Sequence, residues 1–179
     1  ICCDTDLPRF HSTMSTDNNV QPTLRHVTCP GASHTDAATH RMAYWSWGDE
    51  RNPNVLICVH GLSRQGRDFD TLAKALCDRY HVVCPDVVGR GESDWLADPS
   101  GYQVFGYVGD MVALLQSLRT QRGAADPIAV DWVGTSMGGL IGMALSALPP
   151  AASGATLRKM VLNDVGPRLR IEALTRIGE

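Results

Sequence analysis

A serine flanked by glycines is the strongest chemical signal in this sequence. The segment GTSMG (134–138) lies between two apolar runs, PIAVDWVG and GGLIGMALSAL. A serine on a sharp turn between a strand and a helix is forced out of the sheet, and flanking glycines avoid clashes in so tight a bend. The hydroxyl of Ser136 would also lie at the amino end of the helix, where the helix dipole favours developing negative charge. This pattern predicts that Ser136 is a nucleophile.

A second polar group follows an earlier apolar run, VLICVH (55–60). His60 and Gly61 end this run and open the polar loop LSRQGRD. When a serine on such a turn attacks a carbonyl, the N–H of the next residue, here Met137, donates to the oxyanion, and a second N–H comes from the loop after this strand. Leu62 is the candidate for that second donor. We expect His60 to orient the loop; direct proton exchange with the substrate is the alternative.

Short apolar runs and amphipathic segments alternate along the chain and would position these residues. Continuous apolar runs are typical of strands buried on both faces, and apolar residues spaced three and four apart are typical of helices. The predicted strands are 55–60, 81–86, 127–134 and 157–164, and the predicted helices between them are 67–80, 107–121 and 138–148. This alternation predicts an α/β fold with a mostly parallel sheet and helices on both faces.

The residues before the first buried strand have a different pattern. MAYWSWG (42–48) alternates apolar and polar residues and ERNPN supplies a turn, which together indicate an antiparallel hairpin at the N-terminal edge of the sheet. Residues 1–40 are rich in Ser, Thr, Asp, Asn, His and Pro without sustained apolar periodicity, which predicts loop or disorder. We therefore divide the chain into a flexible segment, 1–40, and a core, 41–179.

Three motifs in order resemble the α/β-hydrolase family. HG (60–61) follows one strand, PDVVGRGESD (85–94) follows the next, and GTSMG follows the third, as in that family. The resemblance covers roughly residues 42–170 and implies an α/β-hydrolase fold. It also implies a serine hydrolase that cleaves an ester, thioester or amide of a small-molecule acyl substrate. By the same resemblance, 85–94 is a structural turn in which Asp86 caps or forms a salt bridge rather than reacts.

The other members of a catalytic triad are harder to place. In this fold an acid and then a histidine follow the serine, whereas the last histidine in this chain is His81. Asp164 is the candidate acid, because some relatives, the haloalkane dehalogenases among them, carry their acid after the corresponding strand. A turn-forming role for Asp164 in NDVGP is the alternative, and we favour it. We expect the fold to be incomplete after about the sixth strand, with RLRIEALTRIGE (168–179) at the start of a cap region.

Composition limits the partners and the location. The net charge of −3 gives no broad basic face for nucleic acid, and no run reaches the ~18 apolar residues of a membrane span. The six cysteines form no C-x-x-C pair and no zinc-ligand spacing with histidine, so we expect no metal and no cofactor. Cys58, Cys77 and Cys84 lie in or beside apolar runs as free thiols, which favours a reducing, cytoplasmic location. The oligomeric state stays open, as do the partners of Asp131, a carboxylate inside an apolar strand.

Three alternatives to a serine esterase remain at this point. The chain is a catalytically incomplete fragment, or it is a ligand-binding relative that keeps the pocket without chemistry. The third alternative is a cofactor-free haloperoxidase or a carbon–carbon bond hydrolase. The same serine turn supports these activities in the family. A reading frame that continues past Glu179 into a histidine-bearing segment would favour the enzymatic interpretations over the incomplete fragment and the ligand-binding relative.

Overall fold

A six-stranded mixed sheet organises the molecule. The computed structural model describes residues 20–31 and 39–166. The strands are β1 (Thr23–Cys29), β2 (His40–Trp47), β3 (Val55–Val59), β4 (His81–Pro85), β5 (Ile128–Thr135) and β6 (Ala155–Asn163). The helices are α1 (Asp70–Leu76), α2 (Val104–Gln121), α3 (Met137–Ser146) and α4 (Pro150–Ser153), and 3-10 turns lie at Gly66–Phe69 and Pro99–Gly101.

The order of strands across the sheet is β1-β2-β4-β3-β5-β6. Strands β4, β3, β5 and β6 are parallel, and β1 and β2 are antiparallel to their neighbours at one edge. The predicted α/β class, with a mostly parallel sheet and an antiparallel N-terminal edge, is confirmed. Because the carboxyl ends of the parallel strands meet at one edge, the loops that carry the candidate site residues converge there.

Helices cover both faces of the sheet, as predicted. On β3, Val55, Ile57 and Val59 face a large core cluster that α2 and α3 complete, whereas Leu56 and Cys58 face a smaller cluster completed by α1. This alternation explains the continuous apolar run, since each side of the strand meets a helix layer. Both Cys58 and Cys84 are buried free thiols, and Cys77 is only half-buried.

Two predictions about the N-terminal edge are wrong. The prediction of loop over residues 1–40 fails at Thr23–Cys29, which forms strand β1. Only Val27 and Cys29 of this strand are buried, so its mostly polar composition concealed a half-exposed edge strand. The hairpin partner of β2 is β1 rather than the strand after the ERNPN turn, because β4 lies between β2 and β3.

Some predictions lie outside the described residues. They are the loop at 1–19 and 32–38 and the start of a cap region at 168–179. Within residues 20–31 and 39–166, no helix combines the length and the apolar character needed to cross a membrane.

Candidate active site

Ser136 occupies a strained turn between β5 and α3. It precedes the first residue of α3 and has φ 48° and ψ −111°. A positive φ is rare for a residue with a side chain and costs on the order of 1–3 kcal/mol, so surrounding contacts must maintain it. One such contact is the Ser136 N–H, which donates to the Asn163 carbonyl at the end of β6 at 2.8 Å. The turn is therefore fixed by the neighbouring strand as well as by the helix that follows.

Close backbone packing requires glycine at both ends of this turn. A Cβ at Gly138 would overlap the Val59 carbonyl at the end of β3, and a Cβ at Gly134 would overlap the backbone of Gly138. Helix α3 thus begins directly against two strand ends. The glycines that the sequence analysis selected are needed for this approach, whatever chemistry the serine performs.

The loop after β3 lies beside Ser136. The Cβ position built on Gly61 is 3.7 Å from both the Ser136 Cβ and the Thr135 carbonyl oxygen. Leu62 follows Gly61 and its side chain is exposed. Met137 is the first residue of α3, so its N–H has no acceptor within the helix. The structure therefore places the loop with one candidate oxyanion donor next to the turn with the other.

His60 is buried and both of its ring nitrogens contact backbone. Its Nδ1 lies 2.7 Å from the Gly61 carbonyl oxygen, and its Nε2 accepts from the Val87 N–H at 2.9 Å. Because Nε2 accepts, the proton of the neutral ring is on Nδ1, which donates to Gly61. Burial lowers the pKa of His60, which keeps the ring neutral. In this geometry, neither nitrogen is available to take a proton from Ser136.

Asp86 joins the loops after β3 and β4. Its carboxylate accepts from the N–H of Gly66 at 2.6 Å, the N–H of Glu92 at 2.9 Å and the Trp45 indole at 3.3 Å. The side chain is fully buried. A carboxylate surrounded by donors in this way caps backbone, as its position in the 85–94 block implied.

Asp164 follows β6 on the Ser136 side of the sheet. It is exposed and has φ 60°, the second residue other than glycine with a positive φ among the described residues. The carbonyl of its neighbour Asn163 accepts a hydrogen bond from the Ser136 N–H, so the chain at Asp164 runs close to Ser136. A left-handed aspartate is also typical of a turn. His81 lies at the opposite end of the sheet, where β4 begins.

A cavity of about 350 Å³ adjoins the candidate oxyanion loop. Its walls include Leu62, Arg90, Trp95 and Tyr102. The Arg90 Nε donates to the Leu62 carbonyl at 2.9 Å, and its guanidinium lies over the Tyr102 ring at 5.7 Å. Trp95 is 76% exposed. The cavity thus combines an apolar wall with a cation that is fixed to the loop beside Ser136.

Asp131 has partners that the sequence analysis left open. Arg158 of β6 donates two hydrogen bonds to its carboxylate, both at 3.1 Å, and the Tyr80 hydroxyl donates a third at 3.1 Å. No local pattern could have identified them, since Arg158 belongs to a neighbouring strand and Tyr80 follows α1. This cluster links strands and is separate from the Ser136 turn.

Comparison with known proteins establishes the family. Residues 56–177 match the family model described as alpha/beta hydrolase family. This chain is an α/β hydrolase by family. An α/β hydrolase from Novosphingobium aromaticivorans has a similar structure, with a TM-score of 0.68 and 37% identity over 88% of this chain and 49% of that one. A putative hydrolase from Rickettsia typhi gives a TM-score of 0.71 at 29% identity over 87% of this chain and 53% of that one.

A curated relative is more similar in sequence. The 3-hydroxybutyrate-oligomer hydrolase of Cupriavidus necator is 54% identical over 160 residues, which cover 89% of this α/β-hydrolase chain and 50% of that protein. The chain therefore spans about half the length of these relatives. The sequence resemblance to the family is confirmed by these matches, whereas the roles of individual residues are proposals.

Proposed function

We propose that the protein containing this chain is a serine hydrolase that cleaves a carboxylic ester, thioester or amide of a small molecule. The observation that carries the proposal is the turn at Ser136. A non-glycine residue at φ 48° precedes α3, and adjacent glycines allow the turn to pack against β3. Strain of this kind persists where the surrounding structure imposes it, often at reactive residues.

In the proposed reaction, the Ser136 hydroxyl attacks the substrate carbonyl. Negative charge then develops on the carbonyl oxygen of a tetrahedral intermediate, and the N–H groups of Leu62 and Met137 donate to it. Each such donor is worth about 2.7–4 kcal/mol of transition-state stabilisation in well-studied cases. His60 positions the Leu62 loop and stays neutral throughout, because its nitrogens bond to Gly61 and Val87.

The proton of Ser136 must pass to a base. The order of nucleophile, acid and histidine in this fold places the histidine further along the protein than Ser136. We assign that role to a histidine in a part of the full-length protein that this chain does not span, since the chain covers 50% of its 54% identical relative. Asp164 is the candidate acid that would orient it, through its place beside the Ser136 turn.

An ester of a short hydroxy acid is the first substrate class to test. The Cupriavidus necator relative is named as a hydrolase of 3-hydroxybutyrate oligomers. Such oligomers carry ester bonds and a terminal carboxylate. The cavity beside Leu62 offers matching chemistry, with apolar contact from Trp95 and a guanidinium from Arg90.

Active-site labelling tests the nucleophile directly. We expect the full-length protein to react with a fluorophosphonate probe and to hydrolyse p-nitrophenyl esters, and we expect Ser136→Ala to lose the label and nearly all turnover. The matched control is Ser146→Ala, which removes an exposed serine at the far end of the same helix. Label retained in Ser136→Ala, or lost equally in both variants, would refute the assignment.

A further inference from the structure

A buried polar cluster lies away from the Ser136 turn. Cys29 ends β1, His40 begins β2, and the two residues are cross-strand partners. Asp110 approaches them from α2, which packs against β1. The exposed fractions are 1% for Cys29, 8% for His40 and 2% for Asp110. None of the three has a role in the proposed hydrolase reaction.

The cluster leaves polar atoms without partners. The His40 Nε2 lies 3.0 Å from the Asp110 Oδ1, within ion-pair distance, but without the geometry of a hydrogen bond. Across the described part of the chain, neither ring nitrogen of His40 nor the Asp110 Oδ2 has a hydrogen-bond partner. A buried polar atom without a partner costs about 1–3 kcal/mol, and the His40 Nδ1 and the Asp110 Oδ2 lie outside both the ion pair and any hydrogen bond.

The three side chains present metal-binding atoms to one another. The thiol sulfur, one imidazole nitrogen and one carboxylate oxygen all lie within 4.8 Å of each other. Zinc bonds to sulfur, nitrogen and oxygen at about 2.0–2.3 Å, which places tetrahedral ligand atoms roughly 3–4 Å apart. A small contraction of the cluster would therefore bring the three ligand atoms to zinc-binding distance. A thiolate in the set favours zinc over magnesium or calcium.

The charges of the three ligands and the cavity beside them also suit a divalent ion. A thiolate, a carboxylate and a neutral imidazole together balance the two positive charges of zinc, so the occupied cluster would be neutral. A cavity of about 370 Å³, partly lined by His40 and Asp110, adjoins the cluster and offers space for a water as fourth ligand.

We propose that Cys29, His40 and Asp110 form a zinc site that links the antiparallel edge of the sheet to helix α2. Binding transfers the Cys29 thiol proton to solvent and converts the sulfur to a thiolate ligand. The ion would bond to one ring nitrogen of His40 and one carboxylate oxygen of Asp110, side chains whose Nε2 and Oδ1 atoms lie 3.0 Å apart. The ion ties the β1–β2 hairpin to helix α2 away from the Ser136 turn, and its fourth position is open to a water.

Metal titration of the full-length protein tests the site. We expect the dialysed protein to bind one equivalent of zinc, measured by plasma mass spectrometry. With cobalt as the probe, we expect a sulfur-to-cobalt charge-transfer band in the near ultraviolet. Cys29→Ser should remove this band and Asp110→Asn should weaken binding at least tenfold. Cys77→Ser, which changes a half-buried thiol outside the cluster, should bind as the wild type does.

Several outcomes would overturn the proposal. They are a wild-type protein that binds less than one tenth of an equivalent, a cobalt band that survives Cys29→Ser, and equal losses in Cys29→Ser and Cys77→Ser. If Cys29→Ser does not fold, the wild-type cobalt spectrum and the nearly isosteric Asp110→Asn decide the question. Because metal content is measured rather than turnover, the result is independent of the proposed hydrolase function.

Discussion

Side chains around the Ser136 turn differ in how many of their polar atoms are already hydrogen-bonded to the backbone. Backbone groups occupy both nitrogens of His60 and both oxygens of Asp86, so these side chains shape loops. Arg90 is different. Its Nε and Nη1 bond to the Leu62 and Val88 carbonyls, while the guanidinium borders a cavity and is only half-buried. A cation that is positioned by the backbone but still accessible can pair with an anionic substrate group.

The Arg90→Gln substitution should therefore weaken the binding of substrates that carry a negative charge. For an oligomer of 3-hydroxybutyrate with a free carboxylate, we expect KM to rise about tenfold, the lower end of what a hydrogen bond to a charged group contributes. For the methyl ester of the same oligomer, KM should change less than twofold, since no carboxylate is present. Steady-state kinetics on both substrates measure the difference.

Arg64→Gln is the matched control for this prediction. Arg64 is exposed on the loop after β3, where it pairs with Asp68, and it does not line the cavity. Its replacement should leave both KM values unchanged. An equal rise in KM for acid and methyl ester in Arg90→Gln would show that Arg90 supports the Leu62 loop rather than binding a carboxylate.

At the scale of elements, the approach of α3 to the strand ends fixes the turn. The Gly138 backbone lies so close to the Val59 carbonyl that no side chain fits between them. Sequence alone could predict the turn, because a strand, the GTSMG segment and a helix are contiguous. It could not predict which strand the helix start touches, since β3 lies more than seventy positions earlier in the chain.

Gly138→Ala should destabilise the protein by roughly 2 kcal/mol or more, because its methyl group would overlap backbone that cannot move aside. Gly109→Ala is the comparison. A Cβ at Gly109, within α2, meets no atom within 4 Å, and alanine in a helix should raise stability by about 0.5–1 kcal/mol. Urea unfolding followed by circular dichroism measures both. Equal stability changes in the two variants would contradict the close packing.

At the scale of the whole molecule, the sequence predicted features set by neighbouring residues in the chain, and it missed features set by contacts between distant segments. Strands such as β3 were predictable because burial on both faces gives a continuous apolar run. Strand β1 was missed because only Val27 and Cys29 face the core. The Cys29, His40 and Asp110 cluster was also missed, because spacing rules detect ligands that are close in sequence, whereas these three meet only when the edge hairpin packs on α2.

A buried histidine links several layers at the opposite end of the sheet from Ser136. The His81 Nε2 lies 2.8 Å from the Ser46 hydroxyl of β2, and its Nδ1 lies 2.7 Å from the Arg122 guanidinium at the end of α2. Because arginine can only donate, Nδ1 accepts and the proton of the neutral ring is on Nε2. Burial, and then the charge of Arg122, lower the pKa of His81 from 6.5 to about 4, although Glu50 and Asp49 oppose the shift.

The contribution of His81 to the stability of the fold should consequently fall as pH decreases between about 6.5 and 4. Over this range the unfolded chain binds a proton at His81 and the folded chain does not, so the His81 part of the free energy of unfolding is highest above pH 6.5 and declines towards pH 4. The full loss, reached below pH 4, would be roughly 3–4 kcal/mol, from 1.36 kcal/mol for each pKa unit between 6.5 and about 4. His81→Gln, whose amide can still accept from Arg122, should remove this part of the pH dependence. We would measure urea unfolding from pH 7.5 to 4.5 for both proteins. Since other groups titrate equally in both, curves that stay parallel across the range would show that His81 is not the group responsible.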